Sequence, residues 1–147
     1  MSYCNWGDAS DVTQRYHDEE WGMPVRDDVM QFEYLMMEVM QCGLSWDLMM
    51  KKREIFRSCF DGFDFDKIAA YGESDIKRIL ETPGMIRSRR KVEAVIHNAR
   101  RFIELRREHG TFSGSMNRCA LWITASTFLR ERIMPGVSRM RLMSDSP

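Results

Sequence analysis

Residues 74–105 read SDIKRILETPGMIRSRRKVEAVIHNARRFIEL, and this stretch decides the fold. On both sides of Thr82-Pro83-Gly84 the apolar residues recur at spacings of three and four, which is typical of amphipathic helices. The first helix carries Ile76, Ile79 and Leu80; the second carries Val92, Val95, Ile96, Ala99, Phe102 and Ile103. Ser74 and Ser88 are suitable N-caps, and Gly110 ends the second helix. The sequence therefore predicts a helical hairpin with Gly84 at positive φ in its turn.

Four cations crowd the start of the second helix of this hairpin: Arg87, Arg89, Arg90 and Lys91. The helix macrodipole disfavours positive charge at that end by about 0.3 to 1 kcal/mol for each group. The free amides of a helix N-terminus bind anions, so a phosphate site accounts for both the cations and the glycine. The arrangement resembles a helix-hairpin-helix, which binds the backbone of one DNA strand without reading its sequence. A solvated basic face remains the alternative.

Helical periodicity continues outside the hairpin. Asp27 or Asp28 caps a helix that ends near Gly43, and Ser45 caps another that ends near Asp61. In that second helix Lys51, Arg53 and Arg57 are predicted to lie largely away from the packed side. A short helix is predicted over residues 66–71. Strand-like alternation is nearly absent, so the sequence predicts an all-α protein.

Length and charge limit the possible classes of protein. The 147 residues fit one domain, and 22 basic residues balance 22 acidic ones. Without a net charge, any binding of nucleic acid depends on local basic clusters. Neither a signal peptide nor a membrane-spanning run is recognisable, which predicts a cytoplasmic protein. The 4 cysteines are too few and too scattered for a disulfide scaffold, so they are reduced thiols or metal ligands.

One acid, Glu38, lies within an apolar run that includes Leu35, Met36, Met37, Val39 and Met40. A carboxylate in such surroundings needs a cationic or hydrogen-bonding partner. Four aromatic residues of the same region would suit a flat cationic ring: Trp6, Tyr16, Trp21 and Trp46. The pattern favours a pocket for a cationic base. The alternatives are a solvated position for Glu38, as predicted for Glu33, and ordinary core packing for the tryptophans, Trp21 above all.

Several motifs in one order and spacing carry a resemblance to a known family. They are residues 3–6 (YCNW), 16–24 (YHDEEWGMP), 41–46 (QCGLSW), 51–54 (KKRE) and 84–87 (GMIR). With them the chain resembles the DNA 3-methyladenine glycosylase I family over residues 1–113. The resemblance implies a helix-hairpin-helix glycosylase fold and a structural zinc site. It also implies base-excision repair of alkylated double-stranded DNA, in which the enzyme flips out 3-methyladenine and hydrolyses its N-glycosidic bond.

The resemblance also assigns roles to residues. Glu38 corresponds to the catalytic pocket acid that accepts hydrogen bonds from the base, and Tyr16 and Trp46 correspond to the aromatic residues that contact it. Trp6 and Trp21 correspond to the pocket wall. The turn with Gln41, Gly43 and Leu44 corresponds to the segment that enters the duplex, with Leu44 as the apolar wedge. The phosphate-binding hairpin corresponds to Gly84, Ile86 and Arg87, and we expect the neighbouring Arg89 and Arg90 to assist it.

The zinc site and the carboxyl-terminal part depart from the family pattern. Cys4 and His17 supply two ligands, whereas a structural zinc usually has four. The remaining His and Cys are missing, because residues 114–147 no longer follow the family and the closing segment is absent. This organisation predicts a glycosylase-like domain over residues 1–113, with its hairpin at 74–105, and a divergent tail such as a shifted reading frame or truncation produces.

Two other interpretations of the sequence are open. One is an inactive remnant that binds DNA through the hairpin but does not excise bases. The other is a protein-interaction module based on the 13 methionines. Because methionine adapts to irregular gaps, core filling is the simpler explanation for these residues.

Overall fold

Six α-helices and one 3₁₀ turn form residues 10–113, the part of the chain that the computed structural model describes. In chain order they are α1 (Asp11–Glu19), α2 (Asp28–Gln41), α3 (Trp46–Cys59), the 3₁₀ turn (Asp61–Phe63), α4 (Phe65–Ala69), α5 (Glu73–Glu81) and α6 (Arg89–His109). No strand occurs among these residues. The predicted all-α class is confirmed.

Local capping chemistry fixes most helix ends. The Asp27 carboxylate accepts from the Met30 amide at 2.8 Å, and the Ser45 hydroxyl accepts from the Leu48 amide at 3.2 Å, as predicted. Gly110 ends α6 with φ +82°. The predicted start of α5 at Ser74 is wrong, because the helix begins at Glu73 after Gly72. The Asp75 carboxylate accepts from the Gly72 amide at 3.0 Å and so fixes the earlier start.

The core lies where α2, α4 and α6 meet. Phe32, Phe65 and Phe102 pack around one another with ring centroids 5.0 to 5.8 Å apart. Methionines of α2, α3 and the turn between α5 and α6 complete this apolar interior: Met36, Met37, Met40, Met49, Met50 and Met85. These side chains fill the core, so the described part of the chain gives no support to a methionine-rich interaction surface.

A buried ion cluster joins α3 to α2 and to the end of α1. Arg53 Nε donates to Glu33, and Arg53 Nη1 lies 2.7 Å from the Glu20 carboxylate. Arg57 Nε donates to the same Glu33 carboxylate at 3.0 Å. The predicted solvated position of Glu33 is wrong, since the residue is 4% exposed. Arg53 is also buried, not turned away from the packed side, because it supplies the charge that Glu33 requires.

No helix within residues 10–113 is long and apolar enough to cross a membrane. The cytoplasmic location stays a prediction from the sequence.

Replacement of Arg53 tests the ion cluster. We expect Arg53→Met to lower the free energy of unfolding by about 3 to 5 kcal/mol, because Glu33 would lose its main buried partner. Arg101→Met is the matched control: Arg101 pairs with Glu104 on the surface, where an ion pair contributes about 1 kcal/mol or less. Urea unfolding measures both. Equal losses in the two variants would contradict a structural role for the cluster.

Candidate base pocket and nucleic-acid interface

Aromatic side chains from three helices meet beside the ion cluster. The ring centroid of Tyr16 on α1 lies 5.5 Å from that of Trp46 at the start of α3 and 6.2 Å from that of Tyr34 on α2. Asp47, next to Trp46, holds α3 against α1 by accepting hydrogen bonds from the hydroxyl groups of Ser10 and Thr13. The structure therefore brings Tyr16 and Trp46 together, as the sequence pattern predicts.

Glu38 lies near this aromatic group, one helical turn after Tyr34. It is exposed to solvent on one side, yet enough protein surrounds the carboxyl group to raise its pKa above the ordinary value through burial. Burial also raises the pKa of Tyr16, with further increases from the charges of Glu20 and Glu38. Within residues 10–113 no ion pair or hydrogen bond reaches the Glu38 carboxylate. The site is an anion beside aromatic rings, reachable from outside.

Sequence reasoning missed Tyr34 and Glu20. The Tyr34 hydroxyl donates to Glu20, and the Arg53 guanidinium lies 5.3 Å from the Tyr34 ring centroid. Burial and the bond to Glu20 raise the pKa of Tyr34 to about 12. Burial alone would raise the pKa of Glu20, but hydrogen bonds from Tyr34 and Arg53 lower it below its ordinary value. The spacing of four between Tyr34 and Glu38 was the available signal, because it places both on one helix face.

Trp21, another predicted pocket residue, lies at the surface. Trp21 is 56% exposed, so core packing is wrong for it. Its indole stacks on the His17 ring, with centroids 5.4 Å apart and planes 15° apart. Trp6 and Cys4 lie outside the described residues. No group of three or more His, Cys, Asp or Glu side chains within residues 10–113 is arranged to hold a metal ion.

The turn at residues 41–44, here named the wedge turn, follows α2 directly. Gly43 has φ +80°, and the Leu44 amide donates to the Gln41 carbonyl at 2.6 Å. The positive φ favours glycine and reverses the chain at this point. Leu44 is 38% exposed, so an apolar side chain stands at the surface near the aromatic group.

The turn at residues 82–88, here named the hairpin turn, joins α5 to α6. Gly84 has φ +80°, as predicted, and a Cβ atom there would lie 2.8 Å from Cδ1 of Ile55 on α3. Ser88 precedes α6 and makes no side-chain cap bond to the first turn. Ile86 is half-buried behind this helix end. The geometry keeps the start of α6 open to an anion.

Two of the four cations at the start of α6 bond to other elements of the fold. Arg89 donates to Glu73 and Glu93, and Lys91 donates to carbonyl groups at the end of α2. These two residues therefore have structural partners that offset the unfavourable dipole term. Arg87 and Arg90 are exposed at the surface.

Comparison with known proteins agrees with this geometry. The family model for methyladenine glycosylases matches residues 6–131. The chain belongs to the methyladenine glycosylase family. The match continues past residue 113, where sequence reasoning placed the loss of resemblance.

Among curated members of the methyladenine glycosylase family, DNA-3-methyladenine glycosylase 1 of Escherichia coli is 42% identical over 105 residues, which is 71% of this chain and 56% of that protein. The Haemophilus influenzae DNA-3-methyladenine glycosylase is 38% identical over 110 residues, 75% of this chain and 60% of its own length. The chain thus spans about three-fifths of the length of these relatives.

Solved structures of the methyladenine glycosylase family have the same helical fold. A crystal structure of 3-methyladenine DNA glycosylase I has a TM-score of 0.70 at 41% identity, over 74% of this chain and 60% of that one. A variant of another 3-methyladenine DNA glycosylase I, in complex with 3-methyladenine, has a TM-score of 0.73 at 32% identity, over 77% of this chain and 61% of that one.

The hairpin turn of this glycosylase-family chain offers a test of backbone geometry. We expect Gly84→Ala to destabilise the fold by about 1 to 3 kcal/mol, because it adds a positive-φ penalty and a contact with Ile55. Gly110→Ala is the control, since Gly110 shares the positive φ but has no atom within 4 Å of the added Cβ.

A double-mutant cycle separates the two causes in Gly84→Ala. Ile55→Val removes the atom that the new methyl group would meet, so it is expected to recover part of the loss in the Gly84→Ala background. Urea unfolding of the four proteins gives the coupling free energy. Strict additivity would show that the contact with Ile55 is irrelevant.

Proposed function

We propose that the protein is a DNA glycosylase that hydrolyses the N-glycosidic bond of 3-methyladenine in alkylated double-stranded DNA. The observation that carries the proposal is the contact of Tyr16 with Trp46 near the Glu38 carboxylate, which has no ion pair or hydrogen bond within residues 10–113, in a chain of the methyladenine glycosylase family. The relatives' names, and the 3-methyladenine bound to a structural neighbour, support the choice of base.

The pocket suits a cationic base for an electrostatic reason. Methylation at N3 gives adenine a positive charge, which weakens its bond to the sugar and makes it a good leaving group. An ionised Glu38 favours that cation over neutral adenine, and the rings of Tyr16 and Trp46 attract it by about 0.5 to 2 kcal/mol for each contact. Glu38 thus acts chiefly by selecting and stabilising the charged base, and strong proton donation is unnecessary.

Access to the bond requires the base to leave the duplex. Flipping costs a few kcal/mol, which stacking in the pocket offsets. We assign the wedge turn, with Gln41, Gly43 and Leu44, to the space that the flipped nucleotide leaves. The hairpin turn with Gly84 and Ile86, together with Arg87 and Arg90, holds backbone phosphates. Arg89 joins them only by giving up its bonds to Glu73 and Glu93.

Zinc is part of the proposal as a structural ion. Cys4 and His17 would supply two of its ligands, and the remaining ligands are not found among residues 10–113. The Asp18 carboxylate lies 2.9 Å from His17 Nδ1, which supports the assignment because zinc-binding histidines commonly bond a carboxylate through the other ring nitrogen.

Metal analysis of the purified protein tests the zinc assignment. We expect the zinc content of the parent protein to fall in Cys4→Ser and in His17→Asn, because each variant removes a ligand. The control is Cys59→Ser, since Cys59 is buried in the core away from His17. Retention of zinc in both ligand variants would contradict the assignment.

Release of free base from methylated duplex DNA tests the proposed activity. The parent protein is expected to release 3-methyladenine, and Glu38→Gln to lower the rate about tenfold or more because it removes the pocket charge. Burial raises the pKa of Glu38, so its charge does not stabilise the fold and the variant is expected to remain folded. Glu54→Gln is the control, since the Glu54 side chain is 81% exposed and, within residues 10–113, forms an ion pair only with Arg57.

The pH profile provides a second check on Glu38. The carboxylate is needed in its ionised form, and its pKa lies above the ordinary value. Excision by the parent is therefore expected to fall as the pH drops through that raised pKa, at a higher pH than for a solvated glutamate. Glu38→Gln should lack this step. Salt-sensitive DNA binding without any base release would favour the DNA-binding remnant instead.

A further inference from the structure

We propose that Lys91 is a positioning residue that fixes the wedge turn relative to the hairpin turn. It would ensure that a strand held by the hairpin presents its target nucleotide to Leu44 and the pocket. The inference rests on the proposed function and deepens it. Lys91 is therefore not a phosphate contact, although it lies in the basic cluster at the start of α6.

Lys91 donates hydrogen bonds to the end of α2. Its ammonium group donates to the carbonyl oxygens of Met40 at 2.7 Å and Cys42 at 2.8 Å. Carbonyl groups at a helix C-terminus lack partners within the helix and form the negative end of its dipole. The last turn of α2 has no basic residue of its own. Lys91 therefore supplies from α6 the cation that this helix end requires.

The surroundings of Lys91 fit an internal link better than a surface charge. The residue is half-buried, whereas its neighbours Arg89 and Arg90 are exposed. Burial lowers the pKa of Lys91 below the ordinary value. Two carbonyl bonds use two of the three ammonium hydrogens and aim the group away from the surface that Arg87 and Arg90 present.

A second lysine links α3 to the hairpin turn. Lys52 on α3 donates to the Gly84 carbonyl in the hairpin turn, next to the contact between Gly84 and Ile55. Helix α3 begins with Trp46, so the hairpin turn is tied to the helix that carries a pocket ring. Lys91 ties the helix after the hairpin to the helix that carries Glu38. The bonds of these two lysines fix the wedge turn and the hairpin turn relative to each other.

This frame matters because flipping requires two contacts at once. The hairpin must hold a phosphate group while Leu44 enters the stack, and a misplacement of about 1 Å in a working site can reduce a rate by roughly 100-fold. Without Lys91 the wedge turn would lose its bonds to α6 and would open more often. The distance between the turns would no longer be fixed, and productive insertion would become rarer.

Kinetics and salt dependence distinguish positioning from phosphate contact. Lys91→Met is expected to lower kcat for excision from methylated duplex DNA about tenfold, with little change in KM. The slope of log affinity for undamaged duplex against log salt should equal that of the parent. Arg87→Met is the matched control, and its slope should decrease by about one because a phosphate contact is lost. A similar decrease in Lys91→Met would overturn the proposal.

Hydrogen exchange supplies a readout that does not depend on activity. The Leu44 amide, which donates to the Gln41 carbonyl, should exchange about tenfold faster in Lys91→Met, whereas core amides of α6 keep their protection. Lys91→Arg retains the charge and the donors, so it should restore both protection and kcat. Unchanged exchange at Leu44, or equal acceleration throughout the fold, would overturn the inference. A parent protein that releases no base would contradict the proposed function, while exchange at Leu44 would still decide the role of Lys91.

Discussion

The buried guanidinium of Arg53 is the constraint on which the rest of the described structure depends. Charges removed from water are tolerated only when partners surround them, and here Glu33 on α2 and Glu20 after α1 meet one arginine of α3. Arg57 adds a second cation to Glu33. The three helices cannot shift independently without leaving a carboxylate or the guanidinium unpaired. The cluster thereby fixes where α1 presents Tyr16 and where α2 presents Glu38.

The two acids of α2 show how environment assigns a role. Glu33 lies against two arginines, so its charge is neutralised within the fold. Glu38 lies near Tyr16, and burial raises its pKa. A carboxylate beside aromatic rings, without a cationic partner among the described residues, lowers the stability of the fold. A positively charged ligand would satisfy it, which is why the open acid and not the buried one is the candidate pocket residue.

Much of the fold was predictable because its determinants are local. Asp27 and Ser45 bond amides three residues later, and Gly43, Gly84 and Gly110 adopt the positive φ that glycine favours. Such interactions involve neighbours in sequence and can be recognised without a structure. The start of α5 was misplaced because a bond between Asp75 and Gly72 outweighed the capping preference of Ser74. Helix α1 was not predicted, since it contains few apolar residues and buries only Thr13.

The candidate site was only partly predictable, since several of its contacts join distant segments. The pairing of Tyr16 with Trp46 followed from motifs, but the contribution of Tyr34 depended on Glu20 and on the position of Arg53. The cations of α6 looked equivalent in the sequence. In the structure Arg89 bonds two acids, whereas Lys91 reaches the end of α2.

By itself the sequence determined five of the six described helices, the glycine turns and the family motifs, because each depends on residues close together in the chain. The tertiary structure alone decided which acid of α2 is buried and which cation near the start of α6 bonds the end of α2. Those outcomes depend on partners 20 residues apart for Glu33 and Arg53, and 51 residues apart for Met40 and Lys91. The energy of a charge depends on the groups that packing brings around it, and no local pattern specifies them.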